Sequence, residues 1–591
     1  MMTRVPGRRP RAWRTPAVSA ALALVLSVSA CSALPTSSAP QAFDVEVPDS
    51  PPLVLSAGGP AEGATAQELV QGFLLACAAG ASDDFATARL HLTTASAQSW
   101  NPQAGVQIFP TDATPVISTP TEAEKATRTT VSLEVPAVAS VDSHGILTRA
   151  PASSVSATFH LVRENGQWRI DAPDDGIVVS QASFLATHDL VNLQFPTAAG
   201  DALVADPRWY PARRLATHLV QGLVEGPRES LTTVLQNAVP AGTVLDSRGV
   251  EVTDGLAKVL LSGQAPTGRA AALMRWEIEQ TLTAVPAISG VLVSVSGQEL
   301  VGASPPGPDY SLDAALVLTD QGLGSWTAGT IRPHLAPNGP GDAASDLALG
   351  PLGDSPVVWR EADTLTISAA SGLQRRRIHV KAAPVHVSVD RYGWVWVPAS
   401  AAAAAAAGGG GVDGAEDLGA LATARPMVAL DANGRTAVPE LPSDVAQGLV
   451  RVHVSPDGSR VLLLRSFGGA TGLWSAVVER SGDGTPMGLG QVEPVPALAA
   501  GVVDVSWAGP SRFVALVNET PGTADSATSM FTVDFGGLAS SAPAPAHVVS
   551  ISAGPAASSL VVTLDDGTRH TRSGALWQPV ASTVKDLRFP G

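Results

Sequence analysis

Two cysteines, three tyrosines and four lysines are all that 591 residues contain of each type. Each scarcity closes off a class of protein. With Cys31 and Cys77 as the only thiols, no disulfide framework staples small folds together, and each core must hold by burial alone. None of the lysines (Lys125, Lys258, Lys381, Lys585) follows a glycine, so the phosphate-cradling Gly-Lys loop is absent. The eleven histidines are scattered without a His-x-x-x-His spacing, and no Gly-x-Ser-x-Gly elbow occurs. No metal ligand set, cofactor motif or catalytic residue is therefore assigned. Positive charge is short as well: the formal charge is −16, and setting aside Arg4, Arg8, Arg9, Arg11 and Arg14 at the start leaves −21. An acidic chain without a basic cluster is repelled by phosphate backbones, which argues against nucleic acid, and by anionic lipid surfaces. No apolar run reaches the roughly 20 residues that span a bilayer.

What is present begins with the run Ala17 to Ala30, which follows those five arginines and ends Val28-Ser29-Ala30-Cys31. A basic segment, a short apolar segment and small residues before a cut site make a secretory signal peptide over 1–30. The cysteine behind the small residues resembles the lipobox of bacterial lipoproteins. That resemblance implies an acylated Cys31 at the mature N-terminus and a protein lipid-anchored in the cell membrane on its extracytoplasmic face. Acyl chains stabilise attachment by roughly 0.8 kcal/mol per buried CH2, so two or three chains hold where one holds weakly. Residues 31–60, with Pro35, Pro40, Pro48, Pro51 and Pro52, read as a flexible tether.

Three folded regions follow. Residues 61–196 predict an N-terminal α+β domain: Thr65 caps a helix whose stripe is Leu69, Val70, Phe73, Leu74 and Cys77, and a short helix carries Phe85, Ala88 and Leu90. Cys77, in an apolar stretch, reads as a buried free thiol. Asn165-Gly166 between alternating runs marks a hairpin ending in Trp168-Arg169-Ile170. Helices on a curved antiparallel sheet resemble a cystatin- or NTF2-like unit, in which a helix–sheet pocket is the less favoured alternative to a filled core. Residues 201–302 predict an α/β domain, with a helix whose stripe is Leu215, Leu219, Val220 and Leu223 and which Glu225-Gly226-Pro227 stops, a hairpin at Asp254-Gly255, a long helix over Thr267 to Ala284 and a last strand over Val291 to Val295. Residues 311–591 lose helical periodicity and repeat a strand–turn–strand unit at Val387–Val397, Val452–Leu462, Val503–Leu516 and Val549–Leu564. The later spacings suit the period of about 40 to 50 residues of propeller blades, so an all-β C-terminal β-propeller is expected. Ala401 to Gly411 is a low-complexity loop that stretches one interval. Trp394 and Trp396 alternate onto one strand face, which is core packing by default and a sugar-stacking platform as the functional alternative. Asp174-Asp175 and Asp565-Asp566, beside glycines, read as turn caps.

The block Leu219 to Pro227, Val239-Pro240-Ala241-Gly242-Thr243, the strand Gly255 to Ser262 and Val291 to Gly297 resembles the GerMN domain of spore-germination lipoproteins. Ser455-Pro456-Asp457-Gly458 resembles the turn of TolB-type propeller repeats. Together with Cys31-Ser32-Ala33-Leu34-Pro35 and the domain order, the mature chain resembles the LpqB family of actinobacterial lipoproteins. The resemblance implies a non-catalytic accessory of the MtrAB two-component system, contacting the extracytoplasmic domain of the MtrB sensor kinase and affecting cell-wall and division homeostasis. The competing expectation is a cell-wall glycan- or peptidoglycan-binding or processing lipoprotein, because fold alone does not decide function. The oligomeric state is left open.

Overall fold

The computed structural model describes residues 57–591, apart from 121–125, 150–153, 334–338, 342, 381–385, 400–414, 419–424, 496–497, 521–526 and 575. The expected signal segment, the lipobox with Cys31, most of the tether and the Ala401–Gly411 loop lie outside the described residues.

The N-terminal domain is built on the helix Ala66–Ala79. Thr65 and Glu68 close a capping box there: the Thr65 hydroxyl accepts from Glu68 N at 3.2 Å and Glu68 Oε2 accepts from Thr65 N at 2.9 Å. Leu69, Val70, Phe73 and Cys77 are buried against Phe159, Leu161 and Trp168. Burial pushes the Cys77 thiol far above its usual range, so it is an inert core residue. Leu90 leaves the expected stripe and is exposed. Two four-stranded sheets receive the helix, one of strands 116–118, 128–136, 154–164 and 167–171, the other of 147–149, 139–142, 105–109 and 177–180. The first is antiparallel and holds the Asn165-Gly166 hairpin, where both residues take positive φ (53° and 81°). The second contains a parallel pair, Gly105–Phe109 with Ile177–Ser180, which local periodicity does not reveal.

The second domain carries helices Leu215–Glu225 and Gly268–Thr283 on a five-stranded sheet. Asp254 and Gly255, again both at positive φ, turn strand Glu251–Thr253 into Leu256–Ser262. That strand then runs parallel to Gly290–Val295, with the long helix as the crossover.

The C-terminal region is a propeller of six sheets, counted among the described residues. Their innermost strands, 345–349, 388–389, 449–454, 502–507, 548–553 and 584–588, touch their neighbours all the way round. Blade 1 is completed by the end of the chain, where Val584–Arg588 pairs antiparallel with Ala315–Thr319, and blades 2 to 6 follow in chain order with inner strands 345–349, 388–389, 449–454, 502–507 and 548–553. One apolar cluster fills each interface between blades. Successive side chains of a strand therefore enter different clusters, Val461 and Leu463 on one side, Leu462 and Leu464 on the other. That double burial is why the strands read as continuous apolar runs.

Candidate functional site at the domain junction

A hairpin joins the three regions. Strand His188–Pro196 pairs residue for residue with Leu203–Pro211. The interval expected to separate the first two domains, 197–200, belongs to the turn of this hairpin, so the connection runs through paired strands. Strand 203–211 is buried on both faces: Trp209 enters the core of the first domain, Tyr210 that of the second. Gly145 of the first domain sits so close that an added Cβ would lie 2.6 Å from Trp209 O, and its φ of +78° suits glycine.

Asp206, fully buried, is the electrostatic centre of the hairpin. Arg208 donates to its Oδ2 through Nε and Nη2 (3.1 and 2.7 Å), and Arg228 pairs with Oδ1 at 2.5 Å. Burial works against the charge, but Arg228 and Arg208 outweigh it and hold the carboxyl below its usual range. Arg208 also donates to His144 O of the first domain and Gly226 O of the second, each at 3.0 Å. The propeller closes on the same strand. Trp209 Nε1 donates to Gly536 O at 2.7 Å, and buried Arg460 donates to Ala205 O at 2.5 Å. Arg391, from the blade-3 turn, pairs with Asp201 at 3.0 Å.

The propeller axis holds a second buried set. Asp504 is ion-paired with Arg451 and accepts from Ile551 N and Val505 N, each at 2.9 Å. His386 and His453 lie beside it, both held neutral chiefly by burial, with pKa values pushed down to about 3 and about 4. The space they line is only about 40 Å³, enough for a water and too small for an organic ligand.

A roomier cavity, about 300 Å³, opens between the first two domains. His188, Trp209 and Tyr210 of the hairpin line it, with Gln103 from the first domain and His218 and Gln221 from helix 215–225. A neighbouring space of about 250 Å³ shares Phe85, Gln103, Pro211, His218 and Gln221 with it. The space between helix 66–79 and its sheet, by contrast, is a filled core.

Several expected features resolve into structure. Trp394 and Trp396 are buried between blades 3 and 4, and Trp396 Nε1 donates to buried Asp390 at 2.9 Å, so neither offers a platform for a sugar. Asp566 accepts from Thr568 N at 2.8 Å as the expected turn cap, whereas Asp175 accepts from Asn101 N at 2.7 Å, a long-range bond that ties two distant stretches of the first domain together. Among the described residues no group of His, Cys, Asp and Glu could hold a metal, and no helix is long and apolar enough to cross a membrane.

The order of domains is matched by three family models. The lipoprotein LpqB N-terminal domain matches 59–185, the sporulation and spore germination (Germane) domain 192–301, and the lipoprotein LpqB β-propeller domain 325–590. The chain belongs to the LpqB lipoprotein family. Lipoprotein LpqB of Thermobifida fusca is 25% identical over 90% of this chain and 91% of its own. That of Cutibacterium acnes is 32% identical over 41% of this chain, and that of Rhodococcus opacus 30% identical over 42%. The match to these two spans only 40% and 42% of their own lengths. Among solved structures, the tandem GerMN domains of the sporulation protein GerM from Bacillus subtilis cover 33% of this chain and 62% of their own at 19% identity, with a TM-score of 0.18, too distant to add to the argument. The LpqB family order thus places the junction hairpin where the N-terminal and Germane matches meet, between 185 and 192 at its start. Sequence reading missed the hairpin's role, although one signal was there. Asp206-Pro207-Arg208-Trp209-Tyr210 puts charged and aromatic residues side by side in a strand without a polar face.

Proposed function

We propose that this LpqB-family protein is a non-catalytic accessory lipoprotein, anchored through acylated Cys31 on the extracytoplasmic face of the cell membrane. In that reading it modulates the MtrAB two-component system by contacting the extracytoplasmic domain of the MtrB sensor kinase. The observation that carries it is the run of family matches, LpqB N-terminal, Germane and LpqB propeller, over nearly all of 59–590. Physical features support it. Three domains locked at one hairpin form a rigid body suited to presenting a docking surface, and a lipidated tether confines that surface to the plane of a membrane kinase, raising its effective concentration.

The test is co-reconstitution of the full lipoprotein with the kinase in liposomes. Association, and a shift in phosphoryl transfer to the cognate regulator on adding the lipoprotein, are the expected results. Cys31→Ser protein should leave the membrane fraction or stay unprocessed. Unchanged phosphorylation in the deletion strain together with no association in liposomes would remove the kinase partner.

A further inference from the structure

Glu277 points inward from helix Gly268–Thr283 and is fully buried, with no cation beside it. Its Oε2 accepts from Ala238 N at 2.9 Å, and its Oε1 is buried without a hydrogen-bond partner. Burial outweighs that one amide and raises the carboxyl well above the usual value of 4.5. The closed structure therefore keeps the proton where a hydrated carboxyl has lost it. An ionised Glu277 would leave one charged oxygen with neither water nor a donor, which is strongly unfavourable.

Charges on the surrounding elements do not relieve this. Residues 232–240 and strand Gly290–Val295 contain no titratable side chain. Strand 188–196 meets the helix through Gln194, whose N donates to Thr281 Oγ1 at 3.0 Å, while His188 and Asp189 lie at its other end. On helix 215–225, His218 stacks on Tyr210 and Glu225 pairs with His144. Along the helix of Glu277 itself, Arg269 and Arg275 donate to Ala199 O and Gly302 O, and Glu279 pairs with Arg275 at 3.6 Å. Asp206 is closed by Arg208 and Arg228.

Ala238 belongs to a strap, residues 234–239, that forms neither helix nor strand and lies along the turn of the junction hairpin. Ala198 N donates to Val234 O at 3.2 Å, Gln236 N to Pro196 O at 3.0 Å and Gln236 Nε2 to Thr197 O at 2.9 Å. Leu235 and Val239 pin the strap to the core, but its only ladder contact is the single bridge of Leu235 with Thr197. The turn beneath it carries Asp201, which accepts from Thr197 Oγ1 at 2.6 Å and pairs with Arg391 of the propeller at 3.0 Å. A continuous set of bonds runs from Glu277 through strap and turn to that propeller contact.

We propose that strap 234–239 is a pH-sensitive latch, held closed on the hairpin turn by neutral Glu277 and lifted when Glu277 ionises and takes up water. Lifting frees the turn that carries Asp201, so the seat of the propeller loosens as the pH rises. A group that is neutral when closed and ionised when open makes opening grow up to tenfold per pH unit above 4.5, until the closed form itself ionises. The latch does not rest on the kinase reading.

Hydrogen exchange of the full lipoprotein in detergent micelles tests it, read as protection relative to an unstructured chain at each pH. In the wild type, protection of 234–239 and 197–201 should fall about tenfold per unit between pH 6 and 8, while strand Val502–Trp507 stays constant. Glu277→Gln keeps an acceptor for Ala238 N and cannot ionise, so its protection should not change with pH. Glu277→Met loses the acceptor as well, and should start lower but be equally flat. Constant protection of the strap in the wild type, the same fall in both variants, or an equal fall in the propeller strand would overturn the proposal.

Discussion

Two fully buried aspartates hold this molecule together in different ways. Asp206 sits where three domains meet and is satisfied by two arginines, one of them, Arg208, almost as buried as itself (2% exposed). Asp504 sits where neighbouring blades meet and is satisfied by one arginine, Arg451, which is 17% exposed, and by two backbone amides. Asp504 also has a counterpart: Asp586 reaches from the inner strand of blade 1 to Leu347 N of blade 2, as Asp504 reaches from blade 5 to blade 6. Asp206 has none. Repetition spreads the load around a ring, whereas the junction concentrates it on one strand, and the two regions should fail differently.

Acid should produce the largest loss, and it should draw on both regions. His188 at the junction and His453 on the axis each have a pKa lowered from 6.5 to about 4, mainly by burial. The unfolded chain takes up these protons first, so stability is complete above pH 6.5 and falls as the pH drops toward 4. Roughly 3 kcal/mol per histidine is at stake over that window. Denaturant titrations across it, repeated with His188→Gln and His453→Gln, should show each variant flattening the slope by its own share. Below about pH 3.8 Asp206 and Asp504, whose pKa values are lowered, add their own loss.

Asp206→Ala comes next. It strands the Arg208 guanidinium without a counter-charge and should cost about 3–5 kcal/mol in chemical unfolding. Asp504→Ala should cost less, about 2–3 kcal/mol, because Arg451 can rehydrate and the main loss is two unpaired amides. Equal losses would remove the distinction between the two sites. The smallest effect is expected from Asp201→Ala, whose partner Arg391 is buried but whose own carboxylate is 46% exposed; under 1 kcal/mol is expected.

What the sequence made legible follows the range of the interaction. Hairpins at Asn165-Gly166 and Asp254-Gly255 were readable because both residues of such turns need positive φ, a demand written into two adjacent positions. The helix behind Thr65 was readable through a cap and a stripe, and four blades through their own strand–turn–strand units. The closure of blade 1 was not: Val584–Arg588 pairs with a strand some 270 residues earlier, and no local pattern records that. The site was less legible still. Cys31 is a local motif, but the cavity is made by His188, Tyr210 and Gln221 approaching Gln103, residues whose types are ordinary in their own elements. The hairpin escaped for the same reason, since its double burial arises from two domains and leaves only the absence of a polar face.

The central claim is that strand 203–211 locks the N-terminal domain, the Germane-like domain and the propeller into one body. Hydrogen exchange followed by mass spectrometry tests it directly on the amides of Val204 to Tyr210 in the full chain. The account predicts protection equal to that of the propeller's inner strands, lost selectively in Asp206→Ala. Exchange of that segment as fast as surface loops, with the propeller strands still protected, would show independent domains joined by a loose connection and would contradict it.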